Sequence, residues 1–261
     1  MSAIRTVLWK EWLELRGEYR LWVSALLPPL IFAVMPLILL RTLSSTTDAD
    51  IRTLGMVLND PSLRGLSDIE LGQAVIGKQF STLMLLTPLL VPSIIAPYSI
   101  VGEKKSNTLE PLLATPIAVW QLLLAKSLAA VIPAIVITWL GAAIFVGGVA
   151  AIVASPLVLW AIITPGWLLL LGLCAPVIAL LMVALCIAIS SRVSDPRTAQ
   201  QLASVAIVPL MIGIFAQLAG ALVLTPALAL LATLVAGALA AIAIWVATRV
   251  FQRESILTRL S

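Results

Sequence analysis

The chain has 261 residues, 61% of them hydrophobic and only 11% charged, with a mean hydropathy of +1.13. A water-soluble domain carries about a quarter of its residues charged, so this composition excludes one and points to an all-α polytopic membrane protein whose helices satisfy their own backbone in lipid. The 16 Lys+Arg against 12 Asp+Glu are spread over chain ends and short polar links, which does not make a nucleic-acid surface, and the absence of histidine excludes imidazole metal sites and imidazole catalysis within the chain.

Residues 1–20 are amphipathic. Ile4, Leu8, Trp12 and Leu15 recur at helical spacing with Trp9 alongside, while Arg5, Lys10, Glu11, Glu14 and Glu18 lie largely off that stripe. Trp9, Trp12, Tyr19 and Trp22 favour the membrane–water boundary, so the segment reads as an interfacial helix ahead of the first span, with a solvated terminus as the plain alternative. It does not resemble a cleavable leader, because the apolar run after it is long enough to span and has no small-residue cleavage site behind it.

Six apolar runs follow, over 21–40, 80–101, 122–149, 167–189, 202–222 and 227–248. The first holds Pro28, Pro29 and Pro36, the second Pro88, Pro92 and Pro97, and the fifth Pro209; such kinks are tolerated where neighbouring helices satisfy the freed carbonyls. The long polar link at 41–79 reads as an extracytoplasmic loop with a short helix near 68–75. Trp160 and Trp167 suit an interface near the turn at 155–166, and Ser190–Arg197 makes a second charged link.

Six spans place both termini on one side. If that side is the cytoplasm, Arg5, Lys10, Arg16, Arg20, Lys104, Lys105, Lys126, Arg192, Arg197, Arg249, Arg253 and Arg259 are inside and only Arg41, Arg52, Arg64 and Lys78 outside, a clear positive-inside bias. The polar link at 102–120 is then cytoplasmic. It carries Glu103, Lys104, Lys105 and Glu110 between two uncharged runs. Thr108 is placed to cap a short helix with Glu110 and Pro111 in its first turn, and Leu109, Leu112 and Leu113 share one face. Thr115-Pro116 repeats the start signal for the next helix. A leucine-faced helix across the end of a hairpin of spans needs a partner, either protein or lipid headgroups.

Several motifs weigh little. Gly72 to Gln79 nearly matches the phosphate-binding loop G-x-x-x-x-G-K-[ST], but Gln79 replaces the magnesium-binding hydroxyl and no strand precedes it. Cys174 and Cys186 stand about 18 Å apart along one helix and cannot bridge each other within it. No acidic or basic residue lies deep within a span, since Lys126 is near enough to the cytoplasmic end to snorkel. Ion-coupled carriers place ionisable groups at mid-membrane, so their absence fits a path driven by an outside energy source. Gln217, Thr87 and Ser93, with Thr138 and Ser204, are polar groups available along such a path; the plain alternative is hydrogen bonding within or between helices. Gly141, Gly147-Gly148, Gly213, Gly220 and Gly237 permit close helix approach.

The run from Glu103 to Pro116, EKKSNTLEPLLATP, followed by Ala125-Lys126, resembles the signature of the type-2 exporter family of ABC transporter permeases, roughly E-[KR]-x-x-x-T-[LM]-E-x-L-L-x-[ST]-P with a lysine some ten residues on. The resemblance extends to the whole layout of amphipathic first helix, six spans and long first outer loop. It implies a permease that pairs with a second copy or paralogue and binds a separate ATPase, which holds the ATP and magnesium; this chain holds no cofactor. It implies that Glu103, Thr108, Leu109, Glu110, Leu112, Leu113 and Pro116 form the coupling element on that ATPase, and that the helix around Trp9, Trp12 and Arg16 is the connecting helix beside it. The expected location is the cell membrane. Larger members exporting polysaccharides or lipids often carry re-entrant helices between spans 5 and 6, for which residues 223–226 leave no room. Two other readings stay open on the residues: a non-transporting scaffold or sensor subunit of an ATPase complex, and a membrane-embedded enzyme on lipid-linked substrates.

Overall fold

The computed structural model describes residues 3–43, 60–63, 65–105, 119–190, 193, 195–205, 207–218 and 223–250. Among them there are helices and turns and no strand. In chain order the helices are α1 (Ala3–Gly17), α2 (Tyr19–Leu43), α3 (Asp68–Leu83), α4 (Thr87–Lys105), α5 (Val119–Ile152), α6 (Pro156–Ile162), α7 (Pro165–Leu169), α8 (Ala175–Ser190), α9 (Pro196–Ser204), α10 (Ile207–Leu218) and α11 (Pro226–Val250). A 3₁₀ turn at Met84–Leu86 joins α3 to α4, and a π-helical turn at Leu170–Cys174 joins α7 to α8. Six helical stretches are long and apolar enough to cross a membrane: Tyr19–Thr42, Asp68–Ser99, Trp120–Ile152, Pro165–Ser190, Arg197–Gln217 and Pro226–Arg249.

The second stretch starts earlier than its apolar run. Ser67 opens α3, and the Glu70 carboxylate accepts the Ser67 backbone N–H at 2.9 Å, half of a Ser-x-x-Glu capping box. From there the helix runs through the 3₁₀ turn into α4, so the short helix read near 68–75 is the first part of a span and not a separate element. Asp68 and Glu70 sit in its first turn, where the helix dipole favours them. Ahead of it, Gly65 turns the chain at φ 85°, a left-handed conformation that costs a side-chain-bearing residue more. Lys78 pairs with Asp60, and Ser62 donates to the same carboxylate, tying the 3₁₀ turn at Pro61–Leu63 down onto α3. The lysine of the near phosphate-loop match is thus engaged in an ion pair.

The buried apolar residues form two main clusters stacked along the bundle. One lies at the end occupied by α1. It joins Leu15, Ala25, Leu89–Ala96, Leu123–Ile137, Ala179–Ile187, Ala203 and Ala247. The other lies at the far end and joins Ala33, Leu40, Leu71–Val75, Met84, Ala142–Val149, Val158–Ile163, Trp167 and Leu171. Trp167 belongs to the second cluster and not to an interface. It is 1% exposed, its indole donates to the Ser81 carbonyl at 2.7 Å, and its ring lies 6.4 Å from that of Phe145. Trp160, by contrast, is exposed. Close approach at the far end depends on glycine: a Cβ on Gly166 would stand 2.4 Å from the Leu224 carbonyl oxygen in the link before α11.

Candidate functional site

The site lies where α1 meets the spans. α1 stops at Gly17, and Glu18 turns the chain directly into α2. The buried face of α1 is Val7, Glu11 and Leu15, spaced by one turn each, with Ile4 and Leu8 half-buried beside them. Val7 packs against Leu122 and Ala125 of α5, with Ile4 and Leu8 beside them. Trp9, Trp12 and Arg16 face outward, with Trp9 64% exposed. The helix is therefore rotated from the stripe expected through Trp12. Trp12 stacks edge-on to Trp22 at 6.1 Å, and the Trp22 indole donates to the Leu15 carbonyl at 2.8 Å, which fixes the corner between α1 and α2.

Glu11, read from its spacing as lying off the apolar stripe, is 1% exposed and sits in the middle of this contact. One carboxylate oxygen accepts from Lys126 Nζ of α5 at 2.7 Å, and the other accepts from the Ser99 hydroxyl of α4. Lys126 also reaches Ser99 Oγ at 3.3 Å, while Lys10 stands 3.7 Å from Glu11 at the rim and 3.1 Å from Glu14. Lys126 does not snorkel: its side chain is 2% exposed and is committed inward. The physical reason is that a buried acid on α1 offers the ammonium a partner closer than bulk water. Neither charge tolerates burial alone, so each is kept in place by the other. Sequence reading missed this group because its members are 115 residues apart and each looks ordinary within its own helix.

Ser99 lies on the helix that enters residues 106–118, and Lys126 on the helix that leaves them. One carboxylate thus grips both sides of the 102–120 link. Glu103 falls in the last turn of α4. Thr108, Leu109, Glu110, Leu112, Leu113 and Pro116 lie outside the described residues.

The polar groups assigned to a path differ in their hydrogen bonding. Gln217 of α10 donates to Thr82 of α3 at 2.6 Å. Ser93 donates to Leu90 within its own helix at 2.7 Å, as Thr138 does to Ala134 and Ser204 to Gln201. Thr87 is buried, and its hydroxyl has no hydrogen-bond partner in the described structure. Among the described residues no group of three or more Cys, Asp or Glu is placed to hold a metal ion.

The sequence matches the family described as "ABC-2 family transporter protein" over residues 5–229, which takes in α1, the buried Glu11–Lys126 pair, the 102–120 link and five of the six spans. No curated protein matches the chain. With six apolar helices and a family match over 225 of its 261 residues, the chain belongs to the ABC-2 transporter family as a multi-pass membrane permease.

Proposed function

We propose that this chain is the membrane half of an ATP-driven exporter, carrying substrate out of the cytoplasm on energy delivered by a separate ATPase subunit. The observation that carries the reading is the grip of Glu11 on both α4 and α5. A push received by the link between those helices reaches α1 and two spans together, instead of being absorbed by a floppy loop. Glu103, Thr108, Leu109, Glu110, Leu112, Leu113 and Pro116 form the docking element, with the leucines seated on the ATPase. Trp9, Trp12 and Arg16, on the exposed side of α1, belong to the connecting helix beside that ATPase. ATP and magnesium are held by the partner. The functional unit pairs this permease with a second copy or a paralogue in the cell membrane, both termini in the cytoplasm, and lipid covers the remaining apolar faces.

The test is purification of the full chain from its native membrane in mild detergent, with identification of co-eluting proteins and an ATPase assay. A co-eluting nucleotide-binding subunit, lost when Leu109 or Leu113 is changed to Asp, supports the reading. A chain that elutes alone, or a Leu113→Asp variant with wild-type transport, overturns it.

A further inference from the structure

Each of the first four spans carries, where the two buried clusters meet, a departure from regular α-helix or a residue that weakens it; the further prolines Pro36, Pro92, Pro97 and Pro133 lie away from this level. In α2 this is Pro28-Pro29, between Ala25 of the α1-end cluster and Ala33 of the far cluster. In the second span it is the 3₁₀ turn at Met84–Leu86, between the far cluster at Met84 and the α1-end cluster at Leu89. In α5 it is Gly141, between Ile137 and Ala142. In the fourth span it is the π-helical turn at Leu170–Cys174, which holds Leu171 of the far cluster and precedes Ala179 of the α1-end cluster. Prolines, 3₁₀ stretches and π-turns are the ordinary causes of bending in long helices.

These features also touch one another. A Cβ on Gly141 would lie 3.6 Å from the Met84 methyl and 3.7 Å from Pro29, so three of the four meet at that point. Leu85 of the 3₁₀ turn shares a third, small buried cluster with Leu170 and Cys174 of the π-turn and with Ala229 and Ala236 of α11. Trp139 of α5 donates its indole N–H to the Leu171 carbonyl at 3.1 Å, serving an acceptor inside the π-turn. The unpartnered Thr87 hydroxyl lies immediately after the 3₁₀ turn.

We infer that this level is a built-in articulation across the bundle, at which an α1-end block and a far-end block move relative to each other. The α1-end block is held rigid by Glu11, Lys126 and Ser99. The far-end block is held by Trp167 on Ser81 and by the Asp60–Lys78 pair. Between them the over-wound turn of one span faces the under-wound turn of another. A π-turn contains one residue more than the α-helix needs, so its migration or loss turns the helix beyond it by about 100° and advances it by about 1.5 Å. Trp139 marks the present position of that extra residue.

The test uses nitroxide pairs on the full chain in lipid nanodiscs, in a Cys174→Ala, Cys186→Ala background, read by pulsed dipolar distance measurement. It requires neither substrate nor ATPase, so its outcome is separate from that of the transport reading. Labels at Leu13→Cys with Leu202→Cys report the α1-end block, Ile69→Cys with Leu157→Cys the far block, and Leu13→Cys with Leu157→Cys the relation between them; all four native side chains are exposed. Expected are single narrow distributions within each block and a broad or two-component one between them. Deletion of Gly172, where an added Cβ would meet nothing within 4 Å, returns the turn to α-helix and collapses the between-block distribution to one narrow component. A between-block distribution as narrow as the others overturns the proposal, as do equally broad distributions everywhere. A folded deletion variant that keeps two components removes the π-turn from it. If that variant does not fold, the three pairs in the undeleted chain decide alone.

Discussion

At the scale of single residues, the contact with most at stake is Glu11 with Lys126. Removing one partner strands a charge in an apolar site, at a cost of about 3–5 kcal/mol, whereas replacing both with apolar groups of similar volume is close to neutral. Lys126→Met is therefore expected to lower the unfolding temperature in detergent sharply, and Glu11→Leu with Lys126→Met to restore most of it. A double variant no more stable than the single one would show that the site depends on shape and not on charge. Asp60 gives a pH-dependent counterpart at the far end. Burial pushes its carboxyl up, but hydrogen bonds from Lys78 and Ser62 and the ammonium charge outweigh this and leave it below 3.8. An acid with a depressed folded value contributes stability that is complete above its unfolded value and lost as pH falls through the folded one. The tie between residues 60–63 and α3 should thus hold to below pH 3.8 and then open, seen as a rise in proteolysis there, with Asp60→Asn open at all pH values. Neither contact was legible in the sequence. Helical periodicity assigns a side chain to a face only on average, and α1 is rotated just enough to exchange Trp12 for Glu11. Trp167 was misplaced for a related reason: its neighbours Pro165 and Gly166 mark a turn, which suggests an interface, but the turn folds back over the core.

At the scale of elements, the six spans could be read directly, because unbroken apolar runs of that length have few other uses. Their prolines were legible as kinks, but the 3₁₀ and π turns were not. A π-turn has no composition of its own, and Leu170–Cys174 reads as a continuation of the same apolar run. Close approaches were anticipated at Gly148, where an added Cβ would meet Leu37 at 2.3 Å, and at Gly141, but not at Gly166. Gly166 meets backbone, which cannot swing aside, so Gly166→Ala should destabilise by about 1–3 kcal/mol. Gly147, with open space around it, is the control: Gly147→Ala should be neutral or slightly stabilising, since alanine is the better helix former. Thermal unfolding of the two variants side by side checks both. Trp167→Phe keeps most of the packing and removes the indole hydrogen bond to the buried Ser81 carbonyl, for about 1–3 kcal/mol.

At the scale of the whole molecule, α2, α10 and α11 turn broad apolar faces outward, including Leu26, Leu30 and Ile38, Ile212 and Phe215, and Leu234 and Leu239. In a bilayer such faces are at home against lipid or another helix. Arg249 lies over the Trp245 ring at 4.0 Å, close to the end of α11, which suits the level of the headgroups. A permease with these faces should elute from a sizing column in a form whose mass exceeds that of one chain, and multi-angle scattering corrected for detergent would measure it. A monomer at all concentrations would count against a paired unit.

The Glu11–Lys126 pair has one more consequence, for the order in which the protein is made. Glu11 leaves the ribosome 115 residues before its partner, which at ordinary elongation rates is on the order of ten seconds. Throughout that interval α1 must wait at the membrane surface with its acid in water, and the first hairpin of spans cannot be locked. Only the arrival of the third span allows the nascent chain to swallow the charge. A chain that stops before residue 126 therefore lacks the lysine that pairs with Glu11.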